Sequence, residues 1–444
     1  DNKIAQGFSI LQIVCACLIL FYSGSFKLLP EPYKELHEVM VLPGTRMEKT
    51  IWTPLCRVDL ASNDKIPFHM HTYKLDPGTV KMITQDGTAN TVLPGKQAID
   101  KLLDKLKRNE PGIYAPYVVY SIKKEPKVAV IGVGGGIDVI HAFAAKARRI
   151  LGAELNPAIF NLTTRECADF NGHFFDNPRI EIVNDEGRNM LRNRDEKFDV
   201  IQFIAIDTFA ALSSGAYVLS ENYLYTVEAV HEILDHLEPD GLMCCQRWNP
   251  TPPRESLRLT ALVCQALKER GSKTIDKQIM VIAMDKWALN IVKNSPFTKS
   301  EYDTMFSEIK RQGMQVIYAP KVNPDDKIES EYYSTLSPDN QLNYKTWKDL
   351  LQAYQNGSEQ KFFASYPFLV APTTDDSPFF FEYHQKTDLG GLNLDEQRGN
   401  TAGVTLNLVL IQSTLFTLFA IFLPLFRFQR MVTCSPSVPD APWP

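Results

Sequence analysis

The 444-residue chain lacks most of the marks that announce a chemistry. Its eight cysteines, at 15, 17, 56, 167, 244, 245, 264 and 434, form no C-x-x-C pair and no regular ladder. That excludes a disulfide framework and a zinc site, and leaves reduced, mostly buried thiols. His69 and His71 alternate in PFHMHTY with no third ligand nearby, so they read as surface histidines and no metal is expected. Cationic excess is absent too: 47 Lys and Arg stand against 52 Asp and Glu, a net charge of −5, which argues against a nucleic-acid partner. No Walker A sequence, HExxH helix or Ser-His-Asp order occurs. No internal repeat or low-complexity block is found beyond a Pro-rich tail at 435–444, expected to be disordered.

What is present includes two uncharged apolar runs. Residues 402–426 are long enough to cross a bilayer, which takes about 20 residues, and 8–23 is a shorter transmembrane or membrane-associated candidate. No A-x-A cleavage site follows the first run, and the chain opens on Asp1, so it reads as a piece or processed form of a longer membrane protein. Arg427 and Arg430 place the tail after 426 in the cytoplasm by the positive-inside rule. Unpatterned cysteines instead favour a cytoplasmic position for the polar region between the runs, and that is the reading adopted.

The most informative stretch is Val128 to Glu154, VAVIGVGGGIDVIHAFAAKARRILGAE. A β-branched run ends in Gly132, Gly134, Gly135 and Gly136, a helical stretch follows, and a second apolar run ends on an acid. This is one βαβ unit with a phosphate- or nucleoside-sized gap at its first turn. Glycine permits the tight turn and a close approach of backbone to ligand. Glu154 lies 154 − 132 = 22 residues past the first glycine, the distance at which a strand-tip carboxylate reaches ribose hydroxyls.

Strands are expected at 127–133, 149–154, 179–184, 198–205, 241–247, 279–284 and 287–293, with helices near 136–147, 157–170 and 222–237. Alternation of the two implies a doubly wound α/β sheet of seven strands, mostly parallel. Met284 to Trp287 is too short for a parallel crossover, so the last strand is antiparallel, as in a methyltransferase-like Rossmann fold. Short strands at 51–62 and 80–93, the latter folded at Asp86-Gly87, predict a small N-terminal β domain over 40–100. The nucleoside-binding α/β domain is expected to span 101–295, and a mixed extension with helices near 298–312 and 344–356 to span 296–390.

Further candidates lie at the strand ends. Asp185 and Glu186 follow the third strand, where an acid can accept the exocyclic amine of adenine or cap a helix. Asp207 follows the fourth and can take a proton from an amine, or make a local turn. Tyr223 and Tyr225 can line a substrate pocket or pack. Arg247 can meet a substrate carboxylate or join a structural ion pair, as can Arg254.

Residues 127–247 resemble the spermidine synthase family of polyamine aminopropyltransferases in IGVGGG, AELNP, EGRNM, FDVI before an Asp loop, LYTVEAV and LEPDGLMCCQ. The stretch 40–385, with PTTDDSPFFFEY before the second apolar run, is similar to bacterial membrane-embedded spermidine-synthase-like proteins. The resemblance implies that the glycine turn, Glu154 and Glu186 hold S-adenosylmethionine or its decarboxylated form. It implies a small-molecule amine acceptor and the lipid bilayer as partners, with a homodimer left open. The catalytic loop departs from the family's D-x-x-D-P: Ile204 stands at the first Asp, Asp207 matches the second, Thr208 replaces Pro, and Gly135 replaces an Asp in the glycine turn. Whether an aminopropyl or a methyl group would move stays open. The rival expectation is a catalytically inactive module that senses nucleosides or polyamines beside a membrane segment. A nicotinamide dehydrogenase is a weaker third.

Overall fold

Asp86 and Gly87 both take positive φ, 48° and 76°, as the central residues of a type I′ turn do, and the Thr88 amide closes the turn on the Gln85 carbonyl at 3.0 Å. The turn joins β3 (Val80–Gln85) to β4 (Ala89–Pro94) in an antiparallel sheet of order β1-β2-β3-β4, with β1 at Thr45–Trp52 and β2 at Arg57–Asn63. The expected single strand 51–62 is therefore two strands and a reversal. Pro54 offers no ladder donor, and the Thr53 hydroxyl accepts from the amides of Leu55 and Cys56, turning the chain back. The computed structural model describes residues 10, 12–18, 21, 32, 34–66, 76–108, 110, 115–206, 220–284, 286–320, 333–383 and 401–426.

The large sheet runs β12-β10-β11-β9-β8-β5-β6-β7. Its strands are β5 Lys127–Ile131, β6 Arg149–Ala153, β7 Ile180–Val183, β8 Phe198–Ile204, β9 Leu237–Trp248, β10 Ile279–Met284, β11 Trp287–Lys293 and β12 Gln315–Tyr318. From β7 through β9 all neighbours are parallel, whereas β11 lies antiparallel between β9 and β10. The seven expected strands are all present and the methyltransferase-like order holds, but the sheet has eight strands. The added β12 pairs antiparallel with β10 and is only four residues long, too short to display a period in sequence.

Side chains alternate across the strands and fill two cores. One face packs under the helices 137–144 and 299–311 and the 3-10 turn 115–121; the other packs under 227–235, 255–269 and 338–355. The N-terminal sheet is joined to the large domain by two apolar clusters. Val92 and Met82 meet Ile137 and Ile140, while Leu93 and Leu60 meet Ala158, Ile159 and Leu162. β4 is thereby laid over the first βα turn.

Among the described residues one helix, Leu408–Phe426, is long and apolar enough to cross a membrane. Residues 10, 12–18 and 21 of the first apolar run are helical and exposed, and the rest of that run lies outside the described residues. So do His69, His71 and the 435–444 tail.

Candidate functional site

The carboxyl ends of β5 and β6 carry the glycine turn and Glu154 side by side. Gly132, Gly134 and Gly136 have φ of 76°, 54° and 93°, which only glycine adopts without strain. Each amide of the turn is engaged within the chain. Gly132 and Val133 donate to the Ala153 carbonyl at 2.8 and 3.1 Å, and Gly136 donates to Val133 at 2.8 Å. Gly134 donates to Glu154 Oε2 at 2.8 Å, and Gly135 to Thr91 Oγ1 on β4 at 3.1 Å. A pyrophosphate would need amides left open, so this bend is not a phosphate cradle. The nicotinamide dinucleotide reading loses its anchor on the same count.

The reason for glycine also differs from the sequence expectation. The space a Cβ would occupy is taken by the chain itself: Ile206 at Gly132, Thr91 at Gly134, the Val92 main chain at Gly135 and the Phe175 ring at Gly136. The glycines admit close packing of the protein's own elements as well as the tight turn.

Glu154 is only 7% exposed. Its Oε1 accepts from the Asn156 amide at 2.9 Å and its Oε2 from Gly134, so it is held toward the turn and makes no salt bridge among the described residues. Burial raises its pKa, and the two amides work against that rise. A carboxylate has about four lone-pair positions, so two remain for hydroxyl donors. Beside it Leu155 is 50% exposed, an apolar surface at the strand tip against which a planar base can lie. Asn184 Nδ2 donates to the carbonyls of Glu154 and Leu155 at 2.7 and 3.1 Å and fixes this tip. These residues fit a nucleoside: a ribose acceptor, an apolar platform and no call for phosphate. Sequence reasoning missed Leu155, Asn184 and Thr91. Only Leu155, adjacent to the acid, carried a signal.

Asp185 and Glu186 lie partly exposed at the tip of β7. Glu186 caps the helix 187–192 by accepting from the Asn189 amide at 3.0 Å. Asp185 Oδ1 accepts from the Glu186 amide and from Asn189 Nδ2 at 2.8 and 2.7 Å. The capping role is thus filled, and each carboxylate keeps an oxygen for a further donor.

At the carboxyl end of the strand neighbouring β5, β8 stops at Ile204, which is buried and apolar, and the chain turns at Ala205 with φ of 50°. Asp207 lies outside the described residues. Tyr223 is 47% exposed and its hydroxyl donates to Glu221 at 3.0 Å. Tyr225 is fully buried: its hydroxyl donates to the Ile206 carbonyl at 2.9 Å and its ring stacks on Phe380. Arg247 is likewise buried, paired with Glu255 and set against the rings of Tyr225 and Phe381. Tyr225 and Arg247 thus stand in the wall behind the mouth, the packing and ion-pair alternatives of the sequence reading. At the end of β9, Gln246 Oε1, Trp248 Nε1 and Asn249 Oδ1 are buried without a hydrogen-bond partner among the described residues. Trp248 stacks on Trp287 with ring centres 4.3 Å apart. Among the described residues no group of His, Cys, Asp and Glu has metal-ligand geometry.

Residues 115–296 match the family model of the spermine/spermidine synthase domain. The chain carries a spermidine synthase-like transferase domain. Among solved structures it is similar to a spermidine synthase in complex with the transition state analogue AdoDATO, at 16% identity and a TM-score of 0.39, covering 70% of this chain and 87% of that one. It is also similar to the spermidine synthase from Thermotoga maritima, at 16% identity and a TM-score of 0.38, covering 70% and 88%. A third is a probable spermidine synthase from Corynebacterium glutamicum ATCC 13032, at 16% and 0.38, covering 66% and 95%. No curated protein matches the chain.

Proposed function

We propose that the protein is a membrane-anchored, spermidine-synthase-like transferase whose domain lies on the cytoplasmic side. Its nucleoside is S-adenosylmethionine or the decarboxylated form, and its acceptor is a small amine. The observation that carries this reading is Glu154, tethered by the Gly134 and Asn156 amides with acceptor capacity left over, beside a turn that offers a phosphate nothing. Glu154 would hold the ribose, Leu155 would lie against the base, and Asp185 or Glu186 would accept from its exocyclic amine. The sulfonium of the bound nucleoside supplies an electrophilic carbon.

The protein's own part is orientation and proton transfer. Gln246 Oε1 and Asn249 Oδ1 are acceptors in want of donors, as an amine provides, and the Trp248–Trp287 pair offers a flat apolar wall for methylene groups. Asp207 is the proposed proton acceptor, and Tyr223, the exposed tyrosine of the mouth, a substrate contact. Tyr225 and Arg247 would act from behind, by fixing the Ile206 carbonyl.

One observation favours a second reading. Ile204 puts an apolar side chain where the family it resembles has an acid, which suits a module that binds without turnover. Calorimetry of the full chain in detergent with S-adenosylmethionine, its decarboxylated form and 5′-methylthioadenosine, followed by turnover with putrescine, separates the two. Binding with product formation supports the transferase, and binding alone supports the sensor. Absence of nucleoside binding overturns the transferase and the nucleoside sensor, and putrescine binding alone would leave only a polyamine sensor.

A further inference from the structure

The segment 371–383 lies beyond the matched domain and before the helix Leu408–Phe426. A spacer to a membrane helix needs only length. This segment instead makes buried, directional contacts with three elements around the mouth. Thr373 Oγ1 donates to the Tyr225 carbonyl at 2.5 Å, and the Thr373 carbonyl accepts from the Val227 amide at 2.9 Å. Pro378 accepts from the Asn222 amide at 2.8 Å, and Phe380 stacks on the Tyr225 ring with centres 4.5 Å apart. Asp375 takes both Nη atoms of the buried Arg188, at 2.8 and 3.0 Å, and accepts from Thr226 Oγ1 at 2.7 Å. Arg188 belongs to the helix 187–192 that Glu186 caps, and it also donates to the Tyr223 carbonyl at 2.7 Å.

The strap itself is pinned from below. Arg258, buried in the helix 255–269, donates to the carbonyls of Ala371, Phe379, Phe380 and Glu382 at 2.9, 3.1, 2.7 and 2.7 Å. Burial lowers its pKa to about 10, so it stays charged at neutral pH. A guanidinium wrapped in main-chain carbonyls fixes a loop's path more tightly than apolar packing, since leaving any one of those groups unpaired in the interior is costly.

The consequence reaches the mouth through one residue. Tyr225 is gripped by Thr373 and Phe380 on one side, and on the other its hydroxyl holds the Ile206 carbonyl where the chain leaves β8. We propose that strap 371–383 is a positioning element of the acceptor side, with Thr373 and Asp375 as positioning residues that set Tyr225 and through it the exit of β8. The proposal rests on the transferase reading above for its meaning, since it is the acceptor amine whose place is being set. Preorganised walls gain affinity by removing the ordering cost of binding, so the strap acts on acceptor affinity rather than on the nucleoside.

The test uses the full chain in detergent with Thr373→Val, Thr373→Ser and Asp375→Asn. Putrescine affinity is measured by calorimetry at saturating 5′-methylthioadenosine, beside the affinity for that nucleoside alone. The expected result for Thr373→Val and Asp375→Asn is at least a tenfold rise in putrescine Kd, with the nucleoside Kd within twofold of wild type. Thr373→Ser, which keeps the hydroxyl, restores the wild-type value. A merely structural strap would lower the bound fraction of both ligands together and leave each Kd unchanged, and that pattern overturns the proposal. If wild type binds the nucleoside but not putrescine, or neither, the transferase reading fails on its own account. Hydrogen exchange then decides for the strap: faster exchange at residues 203–206 in Thr373→Val supports it, and unchanged exchange there overturns it.

Discussion

On the β5–β6 side of the mouth, each amide of the turn 132–136 and both oxygens of Glu154 have partners inside the chain. On the β9 side, Gln246, Trp248 and Asn249 each bury a polar atom that has none among the described residues. The first side is complete before any ligand arrives and is generic, since a nucleoside needs little beyond a ribose acceptor and a platform. The second carries the cost of unpaired polar groups, about 1–3 kcal/mol each, as sites that await a polar ligand do. Departures from the resembled family fall on both sides: Ile204 stands at the end of β8 and Gly135 in the glycine turn, while Glu154 is kept.

The sharpest way to break the comparison is Gly135→Ala. A Cβ there runs into the Val92 carbonyl and main chain, which cannot rotate away as a side chain would. The self-packed side should lose about 3 kcal/mol or more, read as a large drop in Tm and loss of the contact between β4 and the turn. A melt close to wild type would mean that the N-terminal sheet is not seated on the bend.

Beneath the turn the completeness has an exception. Asp138 is buried with Oδ1 unpartnered among the described residues, and burial pushes its pKa from 3.8 up to about 7. The folded protein therefore favours the protonated acid. Its contribution is full below the unfolded pKa near 3.8 and is lost as pH rises toward about 7. Asp138→Asn, which does not titrate, should gain on wild type as pH goes from 5 to 8, by about 2–3 kcal/mol. Melting curves at several pH values check this, and a constant gap would refute the buried titration.

Glu154→Gln tests the ribose contact without emptying the space. It should cost tenfold to a hundredfold in nucleoside affinity, since hydrogen bonds to a charged group are worth about 1.5–3 kcal/mol. Glu154→Ala is the poorer probe. The carboxylate is buried and satisfies two amides, so its removal should also lower stability by about 2 kcal/mol. On the other side, Gln246→Leu should stabilise the free protein by roughly 1 kcal/mol while weakening acceptor binding, measured by melting and calorimetry. Equal or lower stability would show that Gln246 is not waiting for a ligand. The smallest effect expected is for Ala205→Gly, which relieves positive φ at the β8 exit and should change stability by less than about 1 kcal/mol.

How far the sequence reached depends on how local each signal is. Alternating apolar runs and Asp86-Gly87 marked the strands of the parallel sheet and the hairpin, because period and turn chemistry lie within a few residues. β12 escaped because four residues show no period, and the reversal at Thr53–Cys56 was hidden inside an apparently continuous strand. At the site, Glu154 was legible from its spacing to Gly132. Its burial was not, because the elements that cover it come from elsewhere in the chain. Tyr225 and Arg247 could be read from sequence as pocket or as packing and ion pair, with the latter favoured; the strap, some 150 residues on, supplies Phe380 and Phe381 to sheathe them.

By itself the sequence determined the βαβ unit, its strand-tip acid and the antiparallel return of β11, since glycine freedom, side-chain alternation and connection length act locally. Only the tertiary structure decided what the glycines make room for, which polar groups are left without partners and how the 371–383 strap grips the mouth. Those outcomes depend on which distant segments come to lie against each other, and no spacing along the chain encodes that.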